Sequence, residues 1–480
     1  MTDELAKLDA TDQAELVRRG EVKPIELVEA AIDRIERINP ELNAVIIPLF
    51  DKARAQATAS DLPDGPFKGV PFLIKDFLLQ SKGDPYHAGQ TFLKDLGWTS
   101  DHDSYLAQKF RAAGFISLGK TNVPEAPLPA TESRAYGACR NPWNTAYGSG
   151  GSSGGSSAAV ASCMVAAAHA NDGGGSTRIP ASQCGLVGLK PSRGRTSLGP
   201  DRGEVWAGAI AEHVVTRTVR DTAAILDAVS GPMPGDPYFA PPPEAPFLSE
   251  VGADPGKLRI GFLTRSPEEG ITTHEDCVNA VKETAKILES LGHHVDESFP
   301  MPLESKALRR NVSILSSVAL VRDLDGWGEQ IGRPITQDDV DPFTWAFAAL
   351  GRDISGACYV KAVEEVHAIT RSVAQWWVDG HDLLLTPTVG EPPPKVGEFM
   401  ATADDPLGIG RRSLPFISFT APFNATGQPA ISLPLCWNKA GLPIGNQLVA
   451  AYGREDLLIQ VASQLEEAHP WKDRLPPIHG

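Results

Sequence analysis

Ten consecutive residues, Gly148-Ser149-Gly150-Gly151-Ser152-Ser153-Gly154-Gly155-Ser156-Ser157, are all glycine or serine. Such a run is ordinarily a flexible linker. Here it passes without a break into Ala158-Ala159-Val160-Ala161, which reads as a small-residue helix, and then into further apolar sequence up to Ala170. A linker is not usually sunk into such surroundings, so the run is read as part of the folded core. A phosphate cradle does not fit either, because no Gly-Lys-Ser/Thr follows.

The rest of the chain alternates strand-like and helical patterns, which predicts an α/β protein. Helices are expected from Asp9 to Arg19, closed by Gly20, and from Pro24 onward until Pro40 ends it. Apolar runs at 67–79, 113–119, 258–263, 382–385, 430–435 and 445–451 predict buried strands. The proline-rich stretch 232–246 reads as a long surface crossover. The expected organisation is one large domain over 1–480. It comprises N-terminal helices at 1–60, a catalytic core at 67–230, a crossover and helical substrate side at 232–380, and a C-terminal return at 381–480.

Charge and cysteine usage narrow the function classes. With 44 Lys+Arg against 60 Asp+Glu the formal charge is −16. That argues against nucleic-acid or anionic-membrane partners, which need a basic face. Six widely spaced cysteines without a CxxC pair fit reduced thiols and a cytoplasmic location. The acidic N-terminus does not read as a signal peptide, and the 158–170 stretch is too short to span a bilayer. The eleven histidines show no metal-ligand spacing, so no metal is expected.

Two serine clusters carry candidate chemistry. Gly150-x-Ser152-x-Gly154 formally satisfies GxSxG, which would make Ser152 the nucleophile of an α/β-hydrolase-type esterase with a histidine base such as His213, His381 or His469. The second cluster is Asn171-Asp172-Gly173-Gly174-Gly175-Ser176-Thr177-Arg178-Ile179-Pro180. Three glycines before a serine allow several backbone N–H groups to converge on one point, as an oxyanion hole requires. Asp172 and Arg178 are spaced to brace that turn as an ion pair. Upstream, Lys75 sits within an apolar run, where burial would lower its pKa toward the neutral form a base needs.

The combined pattern resembles the amidase signature hydrolases. The matching blocks are Gly150-Gly151-Ser152-Ser153-Gly154-Gly155, Asp172-x-Gly174-x-Ser176-x-Arg178-x-Pro180 and Cys184-Gly185-x-x-Gly188-Leu189-Lys190-Pro191, with Lys75 in Gly69-Val70-Pro71-Phe72-Leu73-Ile74-Lys75-Asp76. Likeness continues through Lys120-Thr121-Asn122, Arg217 to Asp221 and Pro422 to Pro429, and so covers nearly the whole chain. Thr177 departs from the aliphatic residue usual in the family.

The resemblance implies an α/β/α fold with a central mixed sheet sandwiched by helices. It also implies a triad of Lys75, Ser152 and Ser176, with Ser152 held by a cis peptide and Ser153 supporting the network. Gly173, Gly174, Gly175 and Ser176 would form the oxyanion hole, supported by Asp172 and Arg178. No metal or organic cofactor is implied. The N-terminal segment and Ala450 to Asp456 resemble the nylon-oligomer hydrolase subgroup, which implies a small-molecule amide or carbamate as substrate, urethanes included. Family habit implies a homodimer. Pro127, Leu128 and Pro129 are expected to form an apolar wall of the substrate pocket, together with residues within 201–211, 313–320 and 417–423. A scaffold or glutamine-amidotransferase-like subunit that works only with partner chains is the non-catalytic alternative.

Overall fold

The computed structural model describes residues 2–126 and 128–480. An eleven-stranded mixed sheet runs through it. In chain order its strands are β1 (Val45–Pro48), β2 (Pro71–Lys75), β3 (Ile116–Thr121), β4 (Ala167–Asp172), β5 (Val187–Lys190), β6 (Ala211–Thr216), β7 (Arg259–Phe262), β8 (His294–Glu297), β9 (Leu383–Pro387), β10 (Ala430–Trp437) and β11 (Pro443–Ala450). Across the sheet the order is β1-β3-β2-β4-β6-β5-β10-β11-β9-β7-β8. The chain therefore matches the expected α/β class, and both parallel and antiparallel pairs occur.

The central strands β2, β4, β5, β6, β9 and β11 are buried along their whole length, as expected of strands covered by helices on both faces. Val28, Ala31, Ile32, Ile35 and Leu42 of the helix Pro24–Leu42 share one apolar core with Ala158, Ala159 and Val160 of the helix Gly154–Ala161 and with Leu73, Ile116 and Leu118 of the sheet. The second large core lies under the C-terminal half, where Leu458, Val461, Ala462 and Leu465 of Glu455–Ala468 meet Leu433 and Leu448.

Three helices, Lys306–Ile331, Pro342–Arg352 and Gly356–Val378, form the separate helical layer that the 232–380 segment supplies. Among the described residues no helix is long and apolar enough to cross a membrane.

The second N-terminal helix departs from expectation. It continues through Pro40 and stops at Leu42. A proline near a helix end removes only one N–H bond, and Leu42 is fully buried, so burial holds the extra residues helical. Termination is done instead by Asn43, at φ +52°, with the Asn39 Oδ1 accepting the N–H groups of Ala44 and Val45. Of the predicted strand at 67–79 only Pro71–Lys75 is one, and the strand expected at 113–119 is displaced to Ile116–Thr121. Residues Phe67 to Val70 form a turn, closed by the Val70 N–H to Phe67 carbonyl bond.

Candidate active site

Parallel pairing brings the first two functional segments together. β2 pairs with β4 through Phe72 and Ala167, so the carboxyl ends of both strands lie on one edge of the sheet. Lys75 is the last residue of β2, and Asn171 and Asp172 are the last of β4. The Gly/Ser run crosses this edge before entering the helix Gly154–Ala161.

That crossing explains the missing side chains. A Cβ on Gly151 would lie 2.5 Å from the Leu128 carbonyl oxygen, and one on Gly155 would lie 2.3 Å from the Asn122 backbone nitrogen. No larger residue fits, and the run is core, not linker. The Gly151–Ser152 peptide is cis.

Lys75 is fully buried and points its ammonium nitrogen at three side-chain acceptors. Its Nζ lies 2.8 Å from Ser152 Oγ, 2.8 Å from Ser153 Oγ and 2.5 Å from Asn171 Oδ1. Burial pulls its pKa down to about 7, against the opposing attraction of Asp172 and Glu212. Near neutral pH, a substantial fraction of the side chain is thus a free amine, able to accept a proton from a serine hydroxyl. Histidines are placed differently. His213 is buried within β6, where desolvation drives its pKa down to about 3, and His469 is exposed.

The second cluster is the turn between β4 and the short helix Arg178–Cys184. Asp172 organises it from beneath. Its carboxylate accepts the N–H groups of Gly175 at 2.7 Å and Thr177 at 3.2 Å, and both Nε and Nη2 of Arg178 at 2.9 and 2.8 Å. Burial alone would raise the Asp172 pKa, but the Arg178 guanidinium outweighs it and holds the carboxyl well below the usual carboxylate range. Arg178 in turn donates to Gln447 Oε1 at 2.6 Å and to Asn424 Oδ1 at 2.6 Å. The two clusters meet where the Ser153 N–H donates to the Ser176 carbonyl at 3.2 Å.

Above this edge opens a cavity of about 1350 Å³. Its floor includes Gly173, Gly174 and Ser176, and its far wall is the helical layer, through Leu308, Val312, Ser316 and Phe343. Leu128 and Pro129 line it, as do Val205, Trp206, Ile417 and Pro422. Pro127 lies outside the described residues.

The amidase family model matches residues 26–459 of this chain. The chain belongs to the amidase family. It is 47% identical to the 6-aminohexanoate-cyclic-dimer hydrolase of Paenarthrobacter ureafaciens, over 98% of this chain and 96% of that enzyme. It is 38% identical to the putative amidase AmiC of Mycobacterium tuberculosis strain H37Rv, again over 98% of this chain and 96% of that protein. The solved structure of a 6-aminohexanoate cyclic dimer hydrolase complexed with substrate superposes with a TM-score of 0.94 at 45% identity, covering 99% of this chain and 100% of that one. A bacterial aryl acylamidase of the amidase signature family superposes at 0.86 with 25% identity, over 97% and 96% of the two chains. The chain is therefore a hydrolase of carbon–nitrogen bonds other than peptide bonds.

Several amidase site residues were not visible in the sequence. Asn171, the first residue of the second cluster, supplies the shortest of the Lys75 contacts, a role that its place in the sequence does not signal. Asn424 ties the Asp172 carbonyl to the C-terminal part of the chain at 2.8 Å. It lay within the matched Pro422 to Pro429 block but had no role that spacing could give it. Thr131 fastens the serine run by donating to the Gly150 carbonyl and accepting the Gly154 N–H. The Gly175 N–H, one of the four expected oxyanion donors, is directed instead to Asp172 Oδ1 at 2.7 Å. That bond braces the turn. Among the described residues no group of His, Cys, Asp and Glu side chains is arranged to hold a metal ion.

Proposed function

We propose that this amidase hydrolyses small-molecule amides built on 6-aminohexanoate, cyclic or linear, with Ser176 as nucleophile, Ser152 as proton relay and Lys75 as base. The observation that carries the reading is the buried Lys75 nitrogen, 2.8 Å from Ser152 Oγ. Identity of 47% to a cyclic-dimer hydrolase over nearly the full length supports the substrate class.

In the proposed sequence Ser176 Oγ attacks the amide carbon as its proton passes to Ser152, whose own proton moves to neutral Lys75. The N–H groups of Gly173, Gly174 and Ser176 stabilise the oxyanion. Collapse breaks the C–N bond, and Ser152 returns a proton to the departing amine while being resupplied by Lys75. Water then attacks the acyl-Ser176 ester by the same route, releasing the carboxylic acid. Asp172 and Arg178 hold the turn, and Ser153 anchors Lys75.

A carbamate offers the same carbonyl carbon and nitrogen, so urethane cleavage belongs to the same proposal as a side activity. Hydrolysis of the 6-aminohexanoate cyclic dimer, a p-nitroanilide and an aryl carbamate, measured side by side, tests it. We expect the cyclic dimer to have the highest kcat/KM. Turnover of none of the three by the purified chain would contradict the proposal and favour a partner-dependent subunit. We also extend the reading to a homodimer in the cytoplasm. All six cysteines are free, consistent with a reducing compartment, and light scattering at about twice 51.2 kDa is the expected result.

A further inference from the structure

The loop that follows β5 passes the active site through three consecutive residues with positive φ: Trp206 at +54°, Ala207 at +51° and Gly208 at +80°. Glycine adopts this region freely, whereas a bulky side chain does so only where its surroundings impose it. Here they do. The Trp206 and Val205 carbonyls accept the N–H groups of Ala209 and Ile210. Arg193 Nε donates to the Gly208 carbonyl at 2.7 Å. Asn424 Nδ2 joins the Ala209 carbonyl, at 3.0 Å, to the Asp172 carbonyl, at 2.8 Å. The loop and the oxyanion turn are therefore fastened to the same side chain.

The consequence is the position of the indole. A Cβ on Gly173 would lie 2.9 Å from Trp206 Cζ3 and 3.1 Å from Cε3, so the ring occupies the space a side chain at 173 would need. The ring is only half-buried and lines the cavity beside Gly173, Gly174 and Ser176. A carbonyl bound at the Gly173 and Gly174 amides would have its neighbouring carbons beside the indole. Ile179 and Val205 extend that apolar surface.

Resting on the mechanism proposed above, we propose that Trp206 determines acyl specificity. Its indole is the platform on which an unbranched methylene chain adjoining the scissile carbonyl packs, and the strained turn holds it there. Preferred substrates are then amides of longer straight-chain acids, not short or α-branched ones.

The test is kcat/KM for the acetyl, butanoyl and hexanoyl p-nitroanilides with wild type, Trp206→Ala, Trp206→Phe and Trp206→Gly. Loss of the indole should lower the hexanoyl-to-acetyl ratio by about tenfold or more, the range expected when apolar contact to several methylenes is removed. Trp206→Phe should retain part of the ratio. Trp206→Gly relieves the backbone strain that Trp206→Ala keeps, so it should be the more stable of the two small variants while losing the ratio to the same extent. An unchanged ratio in both small variants, or an equal fall on all three anilides, would overturn the inference while leaving the mechanism standing. No turnover of any anilide by a wild type that hydrolyses the cyclic dimer would overturn this inference alone, and no turnover of the cyclic dimer either would overturn the mechanism with it.

Discussion

Replacing Lys75 by methionine is expected to lower kcat by about 10⁴-fold with a far smaller change in KM, because general-base assistance contributes mainly in the transition state. Methionine matches the length of the stem and removes only the amine, so the fully buried site keeps its volume. The wild type adds a pH signature. Burial lowers Lys75 to about 7, and only its neutral form can accept the Ser152 proton. The kcat/KM should therefore rise with pH through about 7 and level off above it. Below that point Lys75 is an ammonium and the relay has no acceptor. A profile flat down to pH 5.5, or a Lys75→Met variant within tenfold of wild type, would mean another group is the base. Steady-state kinetics across a pH series reads both.

The second large effect is on stability. Arg178 and Asp172 are both wholly buried, 2.8 Å apart, at the centre of a hydrogen-bond network that reaches Gln447 and Asn424. Arg178→Leu leaves the Asp172 carboxylate buried without its counter-ion, and removing one partner of such a pair costs about 3–5 kcal/mol. We expect urea unfolding of this variant to show a loss in that range. Exchanging both residues for apolar ones should cost less, since no isolated charge remains. Activity should fall in either case, because Asp172 holds the turn that carries Ser176 through the Gly175 and Thr177 amides. A loss below about 1 kcal/mol would show that the pair is not part of what holds this edge together.

How much of this was legible in the sequence depended on how each feature is encoded. The α/β class was readable because buried strands such as Leu383–Pro387 and Ala430–Trp437 are predominantly apolar. Strand β4 was not, since Ala167-Ala168-His169-Ala170-Asn171-Asp172 has neither the β-branched content nor the bulk that marks a strand. Pairing on both sides, with β2 and β6, makes it one, which is a tertiary effect. The proline stop in the second N-terminal helix failed for a related reason: burial of Leu42 outweighed a local rule.

At the site, motif density brought Lys75, Ser152 and the Asp172 turn into view. Their partners Asn171, Thr131 and Asn424 stayed hidden, because single polar residues acquire meaning only from what folds against them. Gly175 illustrates the limit from the other side. Three glycines in a row signal exposed backbone amides, but not which way each amide turns, and that of Gly175 turns to Asp172. Trp206 falls within 201–211, a stretch expected at the pocket, but neither its φ nor its contact with Gly173 is written in local sequence.

The most direct test of the proposed chemistry is to find which serine carries the acyl group. The purified chain would be incubated with p-nitrophenyl N-butylcarbamate, whose carbamoyl-enzyme turns over slowly, then quenched, digested and mapped by mass spectrometry. The expected adduct lies on Ser176, is abolished by Ser176→Ala, and forms far more slowly in Ser152→Ala and Lys75→Met. An adduct on Ser152, formed as fast without Lys75, would contradict the assignment of Ser176 as nucleophile and Lys75 as base.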